Sequence, residues 1–204
     1  MKTQNKGSKT MLMSILMSSP GPLIVGYGML VGKSSTQIAD FVRRTAELIA
    51  LIVAYITFRM TGQSGMDAER KRTLERRSNL FVGSAMCFSG ISMLLLVLLS
   101  GKTEQGNVIP GLAVALMGVI ANTIFWLRYK KLGREQNNSI LLVQSRLYRA
   151  KSLVDLCVTT ALLVVLAAPG SAAADCFYKF GSAAVAVYLC WGGVRTILEA
   201  LRKR

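Results

Sequence analysis

Histidine is absent from the 204 residues of this chain. Any mechanism that needs an imidazole as a base, a proton shuttle or a metal ligand is therefore excluded. The sequence also has no CxxC pair among its four cysteines, so it predicts neither a zinc ribbon or finger nor a disulfide framework. Because no G-x-S-x-G, H-E-x-x-H or P-loop pattern occurs either, we expect no enzyme and no bound cofactor.

Acidic residues are few. The chain has 10 Asp and Glu against 25 Lys and Arg, which gives a formal net charge of +15. An excess of this kind is often a sign of nucleic-acid binding, but here the basic residues lie between apolar segments and not along one amphipathic face. The hydrophobic content of 52% points instead to a membrane protein. We therefore expect membrane lipid as a partner and no nucleic acid.

Six apolar stretches are long enough to cross a bilayer, which takes about 20 residues in a helix. They run over residues 11–31, 38–58, 80–99, 108–127, 147–168 and 177–197. The first is expected to bend at Ser19-Pro20-Gly21-Pro22, because proline interrupts a helix. The sequence thus predicts an all-α integral membrane protein with six transmembrane helices.

The loops indicate the orientation. Basic residues are concentrated in the N-terminal segment, in the loops after the second and fourth stretches and at the C-terminal end, whereas the opposite side has only Lys33, Lys102 and Lys179. By the positive-inside rule we expect both termini to be cytoplasmic. We expect the protein to lie in the plasma membrane, which in a bacterium is the inner membrane. The expected domains are a tail over 1–10, a six-helix domain over 11–199 and a basic tail over 200–204, with no soluble domain.

Two of the apolar stretches contain ionisable groups at matching positions. The residues are Asp40, Arg43 and Glu47 in the second stretch and Tyr148, Lys151 and Asp155 in the fifth. In each set the spacing is i, i+3, i+7, which places the three side chains on one face of a helix. A charge at membrane depth costs roughly 3 kcal/mol on insertion scales, so such residues face a bundle interior or a polar cavity. We expect the two faces to meet in one intramembrane cluster, with Asn122 as a hydrogen-bonding residue between helices.

The segments around these residues resemble the cation diffusion facilitator family, also called the cation efflux family. Residues 32–47, GKSSTQIADFVRRTAE, are similar to the start of that family's second helix, and residues 137–155 are similar to the segment that leads into its fifth helix. Glu75 lies in the basic loop where the family often has a glutamate. The resemblance implies a six-helix transport domain, cation transport by antiport and a homodimer held by transmembrane helices.

The same resemblance shows where this chain departs from the family. The family's metal-binding positions map onto Arg43, Glu47, Lys151 and Asp155, so each helix keeps one acid and has a cation in place of the other ligand. A charged Arg or Lys has no lone pair to give to a metal. We therefore predict no metal bound at these positions.

Two interpretations remain open at this stage. In the first, the protein is a transporter whose cation substrate or coupling ion has changed, with proton coupling through the charged cluster. In the second, the cluster is a structural salt bridge in a relative that does not transport and that acts as a membrane subunit or interaction partner. A membrane-embedded enzyme is a third and poorer interpretation.

Overall fold

A computed structural model describes residues 2–31, 35–62, 66–99, 108–168 and 172–202. Every element in these ranges is an α-helix. The helices are α1 (Lys2–Ser18), α2 (Pro20–Val31), α3 (Ser35–Thr61), α4 (Ala68–Leu99), α5 (Val108–Glu135), α6 (Ser139–Ala167) and α7 (Ala172–Arg202). The six predicted stretches fall within these helices, the first being shared by α1 and α2, and the fifth reaching one residue past the end of α6.

The first predicted stretch is divided at Ser19, where the sequence predicted a bend. The Ser19 amide still donates to the Ile15 carbonyl at 2.9 Å, and its hydroxyl donates to the Leu16 carbonyl at 2.9 Å. Pro20 has no amide hydrogen to continue the ladder, and a proline is well tolerated as the first residue of a new helix. The chain therefore ends α1 and begins α2 within two residues.

A tight turn joins α5 to α6. Asn137 has a positive φ of 45°, in the left-handed region that asparagine tolerates better than most residues. Asn138 then caps α6, because its side-chain oxygen accepts hydrogen bonds from the amides of Ile140 at 3.0 Å and Leu141 at 3.2 Å. This turn makes α5 and α6 neighbours along most of their length.

Small residues let α4 and α7 pack closely. A Cβ atom on Gly83 would lie 3.0 Å from the Gly193 carbonyl oxygen, and one on Gly193 would lie 2.6 Å from the Gly83 carbonyl oxygen. Beside them, the Cys87 thiol donates to the Cys190 carbonyl at 3.7 Å and the Cys190 thiol donates to the Cys87 carbonyl at 3.8 Å. Close backbone approach through small residues is the usual way for helices to associate in membranes.

The basic helix ends gather at one end of the bundle. Arg146, near the start of α6, forms a 2.8 Å ion pair with Glu199, near the end of α7. Ser139 at the start of α6 accepts a hydrogen bond from Asn79 of α4 at 3.2 Å and donates one to Glu75 at 2.8 Å. The basic helix ends thus lie at one end of the bundle, and both the placement of that end on one side of a membrane and the identity of that side stay predictions.

The surface of the bundle is apolar and much of its polar content is inside. Leu98 is 79% exposed and Phe180 is 74% exposed, whereas Gln144 and Ser14 are fully buried. Three segments within the described ranges are long and apolar enough to cross a membrane, namely Gln4–Tyr27, Ala68–Leu98 and Lys179–Arg202. Membrane crossing by α3, α5 and α6 stays a prediction, and the loop residues 32–34, 100–107 and 169–171 and the tail residues 203–204 lie outside the described residues.

Candidate functional site

Glu47 of α3 holds two cations inside the bundle. Its Oε2 atom lies 3.0 Å from Nζ of Lys151 on α6, and its Oε1 atom lies 3.2 Å from Nη1 of Arg43 one turn earlier on α3. The Glu47 residue is 5% exposed, and the side chains of Arg43 and Lys151 are 12% and 14% exposed. We call these three residues the ion triad, and its Lys151–Glu47 contact joins α3 to α6.

Local helix geometry explains one of the two contacts in the ion triad, the one between Arg43 and Glu47. Residues four apart lie one above the other on a helix, so Arg43 meets Glu47 within α3. Lys151 comes from a different helix, and its contact depends on the packing of α6 against α3. Two buried charges of one sign beside a single carboxylate leave the ion triad with a net charge of +1.

Tyr148 connects the ion triad to α1. The Lys151 ammonium lies 5.3 Å from the centre of the Tyr148 ring, within the range of a cation–π contact. The Tyr148 hydroxyl donates to the Ser14 carbonyl at 3.3 Å and shares a hydrogen bond of 3.1 Å with the Ser18 hydroxyl. The predicted site residue Tyr148 is therefore beside Lys151 through its ring, while its hydroxyl faces α1.

Two further aromatic residues of α5 pack on Tyr148. The ring centres of Phe125 and Tyr129 each lie 5.3 Å from that of Tyr148. The Tyr129 hydroxyl is hydrogen-bonded to the Ser14 hydroxyl, and Tyr129 is fully buried. Phe125, Tyr129 and Tyr148 thus form a cluster of aromatic rings that links α5 to α6. Sequence reasoning missed Ser14 and Tyr129, because nothing in their local pattern indicates a contact between α1 and α5.

Asp155 forms no hydrogen bond or ion pair with the ion triad among the described residues. Its Oδ2 atom accepts a hydrogen bond of 2.6 Å from the Asn122 amide of α5, and no ion pair to Asp155 occurs among the described residues. One turn earlier on α6, the Ser152 hydroxyl shares a 2.7 Å hydrogen bond with the Thr123 hydroxyl of α5. Asn122 therefore bonds between helices as the sequence predicted, and its partner is the candidate site residue Asp155.

Gly118 makes room for the Asp155 carboxylate. A Cβ atom on Gly118 would lie 2.6 Å from Asp155 Oδ2, closer than real side chains approach. The α5 helix thus supplies a gap at Gly118 and an amide at Asn122 to the same carboxylate. The side chain of Asp40, the sixth predicted site residue, lies outside the described part of the structure.

The exposed apolar side chains and the three segments long and apolar enough to cross a membrane are those of an integral membrane protein. A family model described as the cation efflux transmembrane domain matches residues 11–203. The chain belongs to this family, as the resemblance of residues 32–47 and 137–155 indicated. No curated protein and no solved structure was found to match the chain. Members of the family are transporters of cations, not enzymes.

Proposed function

We propose that this protein transports a cation of single positive charge, or a proton, across the membrane, and that Asp155 is the residue that binds it. The observation that supports this proposal is the difference between the two retained acids. Both Glu47 oxygens are occupied by cations of the chain itself, whereas the hydrogen-bond partner of Asp155 is the neutral amide of Asn122. A carboxylate beside a neutral donor keeps its negative charge available for a substrate.

The charge balance argues against a divalent metal as the substrate at the four family positions. The ion triad carries +1 and Asp155 carries −1, so a divalent ion would enter a region with no net negative charge. Zinc prefers His, Cys and carboxylate ligands in tetrahedral geometry, and Arg43 and Lys151 offer donors of the wrong kind. A monovalent cation neutralises Asp155 and leaves only the +1 of the ion triad, whereas a divalent ion would leave a net charge of +2 in the same buried region.

The ion triad has a part in the proposed mechanism as a fixed counter-charge. Burial of the Asp155 carboxylate costs free energy, and the positive ion triad, which includes Lys151 one turn earlier on α6, lowers that cost while the substrate is absent. When the cation or proton binds, Asp155 is neutralised and the triad repels the bound charge. We propose that this repulsion helps to release the substrate and keeps binding reversible.

Cation flux into proteoliposomes tests this proposal. Purified protein is reconstituted, and uptake of Na⁺, K⁺, a small organic cation and Zn²⁺ is measured with and without a pH gradient. We expect saturable flux of a monovalent cation or of protons in the intact protein, and its loss in Asp155→Asn, which keeps the shape of the side chain and removes its charge. Glu69→Gln, an exposed acid at the start of α4, is the matched control and should transport normally.

Two results would overturn the proposal. One is unchanged flux in Asp155→Asn with the protein still folded, as judged by thermal unfolding in detergent. The other is saturable zinc flux, which would mean that carboxylate ligation survives despite Arg43 and Lys151.

A second candidate function is supported by the ion triad itself. The Lys151–Glu47 contact joins two helices at a buried position, as expected of a structural salt bridge in a membrane subunit that does not transport. This interpretation predicts no flux of any tested cation and a large loss of stability when the salt bridge is broken. Intact transport would exclude it.

We further propose the assembly and location that are usual for the family, a homodimer formed through transmembrane helices in a plasma membrane, the inner membrane in the case of a bacterium. What supports this is family membership. Native mass spectrometry of the protein released from detergent measures the oligomeric state directly. A monomer at all concentrations would refute the dimer.

A further inference from the structure

A group of cations and aromatic rings lies on the surface of α5, α6 and α7, away from the ion triad. The Arg149 guanidinium is 5.6 Å from the ring centre of Trp126 and 5.6 Å from that of Tyr188. The Lys130 ammonium is 6.0 Å from the same Trp126 ring. We call Trp126, Lys130, Arg149 and Tyr188 the aromatic–cation patch.

Among the described residues, no acid forms an ion pair with the cations of this patch. Arg149 is exposed although its neighbours Tyr148 and Ala150 are buried. Neither Arg149 nor Lys130 forms an ion pair with a carboxylate in the described part of the chain. Held between two rings, the arginine loses little freedom on binding an anion, and its in-plane N–H groups suit the oxygens of a phosphate.

Two more arginines, Arg146 on the preceding turn of α6 and Arg195 near the end of α7, add positive charge close to the patch. Arg146 and Arg195 share a single acid, Glu199, at 2.8 Å and 2.9 Å. Arg146 lies three residues before Arg149, so the two arginines lie on the same side of α6. The surface from Lys130 to Arg195 thus carries four cations and one carboxylate among the residues described.

Apolar surface borders the patch. Leu127 is 53% exposed, Val187 is 62% exposed and Trp191 is 69% exposed. Leu127 follows Trp126 in the sequence, Val187 precedes Tyr188, and Trp191 lies about one helical turn after Tyr188. Trp126 lies just before the basic run that begins at Arg128, where the sequence changes from apolar to charged. Tryptophan and tyrosine are enriched at this depth, where the headgroups begin.

We infer that the aromatic–cation patch binds the phosphate headgroup of an anionic phospholipid in the leaflet that faces the basic helix ends, with the acyl chains along Leu127, Val187 and Trp191. The chemistry required is a phosphate with net negative charge attached to an apolar body. A free phosphate satisfies the cations alone, whereas a lipid satisfies the cations and the apolar border together. This inference is independent of the substrate proposed for Asp155.

Lipid titration of the purified protein tests the inference. The full chain in detergent is titrated with phosphatidylglycerol, and bound lipid is counted by native mass spectrometry to give a Kd. Phosphatidylcholine has the same phosphodiester without net charge, and inorganic phosphate has the charge without the chains. We expect phosphatidylglycerol to bind more tightly than either.

Variants locate the site. We expect Arg149→Gln and Lys130→Gln each to raise the Kd for phosphatidylglycerol about five-fold, which corresponds to about 1 kcal/mol for one basic residue near an anionic surface. Arg149→Lys should recover part of the affinity, and Trp126→Leu should weaken binding without a change of charge. Arg72→Gln removes an exposed cation from the start of α4 and should leave the Kd unchanged. Thermal unfolding in the absence of lipid confirms that each variant is folded.

Three results would overturn the inference. Equal binding of inorganic phosphate would identify a site for a free anion. An equal loss of affinity in Arg72→Gln would show attraction by total charge with no defined site. A change of oligomeric mass in Arg149→Gln, with lipid binding intact, would show that a second copy of the chain covers the patch.

Discussion

At the scale of single residues, the two acids Glu47 and Asp155 have different environments in the bundle. Glu47 is bound by Lys151 and Arg43, and Asp155 is bound by Asn122. The two carboxylates therefore differ in environment, since Glu47 is neutralised by cations of the chain and the hydrogen-bond partner of Asp155 is a neutral amide.

Removal of Glu47 should destabilise the protein because it leaves Lys151 buried without its counter-charge. We expect Glu47→Leu to lower the free energy of unfolding by about 3–5 kcal/mol. The double variant Glu47→Leu with Lys151→Met should recover part of this loss, since both charges of the interhelical pair are then absent. Thermal and denaturant unfolding in detergent measure both effects.

The exposed acid Glu69 is the control for this series. Glu69→Gln should change stability by less than about 0.5 kcal/mol, as is usual for surface substitutions. If Glu47→Leu were no more destabilising than Glu69→Gln, the ion triad would not contribute to the stability of the bundle.

At the scale of helices, the close packing of α4 against α7 depends on direct contact between their backbones. Gly193 faces the backbone of Gly83, whereas a Cβ on its neighbour Gly192 would meet only the flexible end of Met86 at 3.0 Å. The two adjacent glycines thus differ in what surrounds them, and they form a matched pair for testing whether the close packing of α4 against α7 is required.

Gly193→Ala should separate α4 from α7 and destabilise the protein, by about 1–3 kcal/mol as for other overpacked positions. Gly192→Ala should be neutral or slightly stabilising, because alanine is the better helix former and the Met86 side chain can move. Unfolding of the two variants side by side measures the difference. Equal stability would mean that the close approach of Gly83 and Gly193 is not required.

The cap of α6 is a second feature at this scale. Asn138→Ala removes the oxygen that accepts from the Ile140 and Leu141 amides and should cost about 1 kcal/mol of stability. Asn138→Asp keeps the acceptor and should retain most of that stability. A similar loss in both variants, seen by thermal unfolding, would contradict the role of the cap.

At the scale of the whole molecule, the bundle exposes many large apolar side chains and buries a set of polar and charged groups within a largely apolar core. The basic ends of the helices meet at one end, as the contact of Arg146 with Glu199 shows. An apolar surface with one strongly basic end fits a bilayer, and from the positive-inside rule we predict that this end lies at the cytoplasmic face.

The exposed Cys176, near the start of α7, provides a test of the orientation. A maleimide that does not cross membranes, added outside intact cells, should modify Cys176 and should fail to modify Cys176→Ser. In the Cys176→Ser background, Thr73→Cys on the exposed start of α4 should react only after the membrane is permeabilised. The opposite pattern of labelling would reverse the orientation.

The sequence was sufficient for the features that depend on neighbours along the chain. The run lengths of apolar residues gave the helices, Pro20 gave the break after Ser19, and the spacing of Arg43 and Glu47 gave their shared face. Two short segments with the right order of residues also indicated the family. These features are local because a helix closes its own hydrogen bonds within four residues.

Contacts between helices could not be read from the sequence. That Lys151 pairs with Glu47 and not with Asp155, four residues away on its own helix, follows from how α6 packs on α3 and α5. The gap at Gly118 and the meeting of Trp126 with Arg149 and Tyr188 arise in the same way. In a membrane, lipid solvates every apolar helix face about equally well, so close packing and polar contacts choose the partners, and these exist only in the assembled bundle.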